Sequence, residues 1–261
     1  MKKLFTIFTS LLCAGVLLVG CEKKSENELK IAATSIPHAE ILEHVKPLIK
    51  EKGIDLNILV VEDYNTPNRA LQDHEVDANY FQHLPFLQAQ MADFGYTLEK
   101  LVGVHIEPMG VYSKRIKTFA ELKPNATVAI PNDPTNQARA LLLLDAQGLI
   151  QLKKHDISVS VLDIVNSPFQ FLEIDSALSS RTLDDVDLAV ITTNFALQAG
   201  LSPHADALAL ENEDSVFTNI VVVRQGEVDQ ANLQELKNAL TSQSTKKFIE
   251  EKYQGAVLPA F

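Results

Sequence analysis

The chain has 261 residues, 46% of them hydrophobic, with 23 Lys and Arg against 34 Asp and Glu, a formal charge of −11 at pH 7. A chain of this size and composition can bury a core and is not a disordered tail. Its acidity excludes nucleic acid as a partner, because that binding draws its affinity from basic patches facing phosphates.

Lys2 and Lys3 followed by the apolar run Leu4 to Val19 read as a secretory signal, too short and wrongly flanked for a spanning helix. Its end, Leu18-Val19-Gly20-Cys21, resembles the lipobox of bacterial lipoproteins. That resemblance implies removal of residues 1–20 and acylation (palmitate among the chains) of Cys21 as the new N-terminus. Several acyl chains hold a protein to a membrane where a single one does not. The only other cysteine, Cys13, lies inside the signal, so the exported chain has no disulfide partner. Residues 21–28 then form the lipidated end and a polar tether. Without Lys2 and Lys3 there remain 21 Lys and Arg against 34 Asp and Glu, a charge of −13.

From Leu29 onward strands and helices alternate, the pattern of an α/β architecture with largely parallel sheets. Leu29 to Ala33 reads as a strand, and Pro37 as part of the first turn of a helix running to Lys52 and ended by Gly53. Leu56 to Val61 is the next strand, and Thr66-Pro67 opens a short helix through Leu71. Val76 to Phe81 is a strand, Leu84 to Phe94 a helix closed by Gly95, and Leu98 to His105 extended chain. After Met109 to Ser113 the pattern restarts, with a capping box at Thr118 to Glu121. There follow a strand at Thr127 to Ile130, a helix from about Asn136 to Gln147, a strand near Phe169 to Ile174, a helix near Ser176 to Leu183 and a strand at Val186 to Ile191. A strand at Asn219 to Arg224 and helices near Asn232 to Leu240 and Thr245 to Tyr253 finish the chain. Val76-Asp77-Ala78 and Val186-Asp187-Leu188 each introduce a strand leading into a polar, aromatic-bearing loop, an internal echo that points to two similarly built lobes. The expected division is 29–111 plus 222–261 for lobe 1 and 112–221 for lobe 2.

The sequence lacks a Gly-x-Ser-x-Gly elbow, a phosphate loop and a His-Glu-x-x-His motif, so nothing in it announces an enzyme or a cofactor. Its seven histidines show no tight metal-ligand spacing, although His105, Glu107 and His83 could converge; hydrogen-bonded histidines are the simpler reading. The segment Pro131 to Arg139 is the strongest candidate site. Thr135 or Asn136 is suited to cap a helix whose free N–H groups favour an anion. Arg139, read as lying in the first turn, is a cation where the helix dipole disfavours one. A bound carboxylate held by two guanidinium bonds would account for it; the plainer alternative is a solvated surface arginine. Tyr64, Phe81, His83 and Phe86 fall at carboxyl ends of strands, where open α/β sheets place their ligands. They suit an apolar or thioether tail. Asn136, Asn194 and Asn219 offer amide oxygens for an ammonium group. Carboxylate, ammonium and thioether together describe methionine, but these residues do not single it out.

Five blocks carry a family likeness: His38 to Leu42, Asp77 to His83, Val104 to Gly110, Ile130 to Asn136 and Lys246 to Tyr253. Together they closely resemble the methionine-binding lipoproteins of the MetQ/NlpA family, from about Leu29 to Phe261. The resemblance implies an α/β, two-lobed, periplasmic-binding-protein-like fold of type II with a ligand cleft between the lobes. It also implies a monomer, exported and lipid-anchored to the membrane facing the periplasm, that delivers methionine to an ABC importer of permease and ATPase. By that likeness Arg139 holds the α-carboxylate, Asn136, Asn194 and Asn219 the amino and carboxylate groups, and Tyr64, Phe81, His83 and Phe86 the side chain. No cofactor, metal or catalysis is implied. D-methionine, a methionine dipeptide or another apolar amino acid remains an alternative ligand, since one methylene is worth only about 1–3 kcal/mol of discrimination. An envelope lipoprotein without transport function and a small-molecule enzyme are the alternative classes.

Overall fold

The apolar alternation of Leu29-Lys30-Ile31 and its successors forms β1 (Glu28–Thr34), and the chain continues through α1 (Glu40–Lys50), β2 (Asp55–Val61), α2 (Thr66–Gln72), β3 (Ala78–His83), α3 (Leu84–Phe94) and β4 (Leu98–Ile106). Then come β5 (Gly110–Tyr112), β6 (Thr127–Pro131), α4 (Pro134–Ala146), β7 (Gln151–Leu152), β8 (Ile164–Asn166), β9 (Gln170–Ile174), β10 (Leu188–Ile191), α5 (Thr193–Gln198), α6 (Pro203–Asp206) and β11 (Ala207–Leu210). The last elements are β12 (Asn219–Arg224), α7 (Ala231–Leu240), α8 (Gln243–Tyr253) and β13 (Leu258–Pro259). This computed structural model describes residues 27–212 and 216–261. The expected signal segment, Cys21 and most of the tether lie outside the described residues. Among the described residues no helix is long and apolar enough to cross a membrane.

Two sheets divide these strands. The first runs β13-β4-β12-β3-β1-β2 and the second β11-β5-β10-β6-β9, with β7 and β8 pairing apart. Each has a parallel part that reaches one edge, β2-β1-β3 in one and β10-β6-β9 in the other. Each is completed by antiparallel strands, so the sheets are mixed rather than largely parallel. The antiparallel members flank the places where the chain passes from one sheet to the other. Strand membership puts those passages between Ile106 and Gly110 and between Leu210 and Asn219. The divisions expected at 111/112 and 221/222 would cut β5 and β12. Each of those strands instead stays whole, because its ladder hydrogen bonds all go to one sheet.

The internal echo has a physical basis. Asp77 accepts a bond from the Lys30 N–H at 2.9 Å, and Asp187 one from the Thr127 N–H at 2.8 Å. In each lobe an aspartate just ahead of a strand thus clamps the start of the neighbouring parallel strand. An arginine attends each aspartate: Arg224 lies 3.7 Å from Asp77 and Arg115 3.3 Å from Asp187.

Several helix boundaries differ from those expected. Pro37 does stand in a first helical turn: Ile36 is extended and joined to it by a cis bond, and Pro37 to Ala39 are helical and lead directly into α1 at Glu40, which ends at Lys50 rather than Lys52. Gly95 does end α3, with φ at 70° and its N–H on the Met91 carbonyl. Ser176–Asp184 is a 3₁₀ segment. Thr193, Asn194 and Phe195, expected in a loop, open α5.

Each lobe has its own core. Ile31, Ile41, Leu42, Val221 and Leu233 belong to one, while Val128, Ile130, Leu141 and Val190 belong to the other. Leu141 sits on the inward face of α4 with no exposed surface. Leu141→Ala is expected to lower unfolding free energy by about 2–5 kcal/mol, measured by urea denaturation. A loss below about 1 kcal/mol would show that this core collapses around the gap.

Candidate ligand-binding site

The carboxyl ends of β3 and β10, the start of α4 and the two passages between lobes meet at one cleft. A bulge brings three consecutive β3 residues to it: on β12, Ile220 pairs with Gln82 and Val221 with Tyr80, leaving Phe81 as the extra residue. Such a bulge re-aims side chains, and Phe81, Gln82 and His83 all line the cleft. Tyr64, Phe86, Glu107, Asn136, Arg139, Thr192, Thr193, Asn194 and Asn219 complete its wall. All eight side chains expected at a site, Tyr64, Phe81, His83, Phe86, Asn136, Arg139, Asn194 and Asn219, are therefore brought together. Gln82, Glu107, Thr192 and Thr193 were not expected there.

The aromatic wall is built on Tyr64. Its ring centroid lies 5.8 Å from those of Phe81 and Phe86 and 5.1 Å from that of Phe195, contributed by the second lobe. The Tyr64 hydroxyl crosses the cleft to donate to Asn194 Oδ1 at 2.6 Å and lies 3.1 Å from Thr192 Oγ1. His83 makes a second crossing. Its Nδ1 caps α3 by accepting from the Phe86 N–H at 3.2 Å, which leaves Nε2 as the donor to Asn136 Oδ1 at 3.2 Å.

The helix start differs from the expected one, and with it the reason for Arg139. Asp133, not Thr135 or Asn136, caps α4: its carboxylate accepts the Asn136 N–H at 2.9 Å, and Pro134 takes the first helical position. Arg139 is thus the sixth residue of the helix, beyond the first turn. It is no surface arginine, being only 5% exposed. Its Nε donates to Glu211 Oε1 at 3.2 Å, and Nη2 donates to Glu211 Oε2 at 2.6 Å and to the Glu107 carbonyl at 3.0 Å. Nη1 donates to Asn136 Oδ1 at 3.2 Å, while the Phe217 ring lies 4.4 Å from the guanidinium carbon. Asn136 is also fully engaged, since its Nδ2 donates to both Asp133 oxygens. Its amide oxygen, accepting from His83 and Arg139, is not available to an ammonium group as expected.

Asn194 differs in kind. Its Oδ1 is occupied by Tyr64, but its buried Nδ2 has no partner among the described residues. A buried amide donor without an acceptor costs about 1–3 kcal/mol, and this one lies in the cleft wall.

Beneath the cleft, Glu107 anchors a buried network. His105 Nε2 lies 2.7 Å and His38 Nε2 3.4 Å from Glu107 Oε1. His38 Nε2 also reaches Asn219 Oδ1 at 3.0 Å, and its Nδ1 contacts Thr34 Oγ1 at 2.7 Å. His105 Nδ1 bonds the Tyr80 hydroxyl. The histidine joining His105 and Glu107 is therefore His38, not His83. Their three ligand-type atoms lie within 4.8 Å of one another, but every ring nitrogen already has a hydrogen-bond partner, the simpler arrangement expected from spacing. Burial lowers His38 to about 4, against the pull of Glu107, and lowers His105 to about 3. Burial and the neighbouring Arg139 charge lower His83 to about 3. Burial raises Glu107, opposed by His38, Arg139 and the Asn194 N–H.

Two α/β lobes clasping a buried cleft, with β2-β1-β3-β12-β4 order in the first, define a substrate-binding protein of the periplasmic type II kind. The family model described as NlpA lipoprotein matches residues 29–261. The methionine-binding lipoprotein MetQ of Bacillus subtilis strain 168 is 40% identical over 271 residues, covering 99% of either chain. A probable D-methionine-binding lipoprotein MetQ of Vibrio cholerae is 38% identical over 99% of this chain and 97% of its own. The solved structure of a nutrient-binding protein from Burkholderia cenocepacia bound to methionine matches with a TM-score of 0.86 at 39% identity, over 89% of this chain and 100% of that one. The chain belongs to the NlpA lipoprotein family, whose members are substrate-binding lipoproteins of transport rather than enzymes.

The three buried histidines titrate near 6.5 in an unfolded chain and at about 3 to 4 in the fold. As pH falls the unfolded chain takes protons first, so their stabilisation is complete above about 6.5 and is lost between there and about 3. Glu107, raised from 4.5, acts in the opposite sense, costing stability as pH rises from that value. With three histidines against two carboxyls raised by burial, Glu107 and Asp133, the urea midpoint is expected to be lower at about pH 4.5 than at pH 7. An equal or higher midpoint at the acid pH would contradict neutral buried histidines.

Proposed function

We propose that this protein is a lipid-anchored, monomeric receptor of the cell envelope that captures methionine and hands it to an ABC importer. The observation that carries the reading is the make-up of one cleft. It brings the unpartnered Asn194 amide and the Arg139 guanidinium together with the aromatic wall of Tyr64, Phe81 and Phe86. An α-carboxylate accepts from Asn194 Nδ2 and from the one Arg139 N–H that the protein leaves over. The Glu107 carboxylate, with Asn219 beside it, takes the ammonium group. The thioether lies against the ring edges, a contact worth about 0.3–1.5 kcal/mol. Methionine bindings in the relatives' names and in the bound neighbour support the choice of ligand.

Residues on both lobes form this cleft, so a ligand touching both favours the closed arrangement by its differential affinity for it. Tyr64 to Asn194 and His83 to Asn136 already span the cleft and set its closed geometry. The L isomer is the proposed ligand; the D isomer is the second reading, favoured by the Vibrio cholerae relative's name.

Asn194→Ala removes a charge-assisted bond worth about 1.5–3 kcal/mol. It is expected to weaken L-methionine binding by roughly ten- to a hundredfold, with little change in the melting temperature of the unliganded protein. Isothermal titration and differential scanning calorimetry read the two quantities. Wild-type affinity in that variant, or failure of the wild type to bind either methionine isomer, would overturn the reading.

A further inference from the structure

A guanidinium carries five N–H groups and no acceptor. In Arg139 four of them are spent within the protein: Nε and one Nη2 bond on Glu211, the other Nη2 bond on the Glu107 carbonyl, and one Nη1 bond on Asn136. The bidentate edge, which matches a carboxylate in shape, is filled by the protein's own carboxylate. One Nη1 N–H remains. The two-bond grip on a ligand carboxylate expected from the sequence is therefore already taken.

Glu211 is itself held from a second direction. Its Oε2 accepts the Met109 N–H at 3.3 Å and its own N–H donates to the Met109 carbonyl at 2.8 Å. It belongs to the returning passage between lobes, Met109 to the outgoing one, and its side chain is only 17% exposed. A carboxylate fixed in this way both aims the guanidinium and cancels its charge. Besides Tyr64 and Tyr80, the other ionisable groups of the wall and its underside are Glu107, Asp133 and the histidines 38, 83 and 105. Among the described residues no second permanent cation joins them.

We infer that Glu211 is the positioning residue that sets the charge preference of the cleft: by occupying the Arg139 edge it makes the site accept a zwitterion and refuse an anion that brings no ammonium group. This rests on the methionine reading above. With Arg139 balanced by Glu211, a ligand carboxylate meets no net positive charge, and only a ligand that also offers a cation to Glu107 is matched. The specificity lies in the pairing of charges, with the like-charge penalty excluding the wrong ligand.

Three probes of similar shape separate the terms: L-methionine, 4-(methylthio)butanoate without the ammonium group, and 3-(methylthio)propylamine without the carboxylate. In titration calorimetry the wild type is expected to bind methionine best and the amine better than the butanoate. Glu211→Gln, nearly the same shape, is expected to shift the butanoate-to-amine affinity ratio by at least about tenfold toward the anion. A purely structural role would weaken all three probes together and leave that ratio in place. A ratio changed by less than about twofold in a variant that still binds methionine overturns the inference. So does a wild type that prefers the butanoate to the amine, a result that needs no variant to fold. A wild type that binds none of the three overturns the methionine reading and this inference with it.

Discussion

A guanidinium does not give up its charge at any pH a protein survives, so burying Arg139 obliges the fold to bring acceptors to it. They come from four parts of the chain: Asn136 one helical turn earlier, the Glu107 carbonyl on the outgoing passage, Glu211 on the returning passage, and the ring of Phe217 over its face. Because two of these lie on opposite passages between the lobes, the requirement to satisfy one cation also fixes how the passages lie against each other. The Met109 to Glu211 backbone and side-chain bonds complete that fixation.

The same economy governs the layer below. His38, His105 and Glu107 are buried together, and burying three charges would cost more than their attraction returns. Neutral imidazoles resolve this, each with one ring nitrogen engaged by a hydroxyl, Thr34 or Tyr80, and the other turned toward Glu107. Glu107 is consequently the group that connects the floor of the cleft to its ligand-facing wall. Asn219 does the same from β12, holding His38 while lining the cavity.

Much of the architecture was legible along the chain. The strands around Ile31, Val128 and Val190 are apolar because both faces of a parallel sheet centre are covered. Gly95 marked the end of α3 by its left-handed conformation, and Asp77 and Asp187 marked two equivalent strand starts. The start of α4 was harder, since Asn132, Asp133, Thr135 and Asn136 are all competent caps and only the packed helix chooses Asp133. Thr193 to Phe195 read as a loop because six residues of α5 are too few to show a helical period. Strands as short as β11 and β13 leave no periodic signal at all.

The eight cleft side chains could be named in advance because strand ends and helix starts are local features, set by residues within a few positions of one another. The sequence likewise determined that residues 28–261, which contain neither of the two cysteines, have no disulfide and rely on apolar cores. What the tertiary structure alone decided is what those side chains have left to offer. Glu211 lies 72 residues from Arg139 and His38 lies 181 from Asn219. Only folding brings them within bonding distance, and so only folding settles that Asn136 is spent, that Asn194 keeps a free donor, and that the arginine's carboxylate-shaped edge is filled from within.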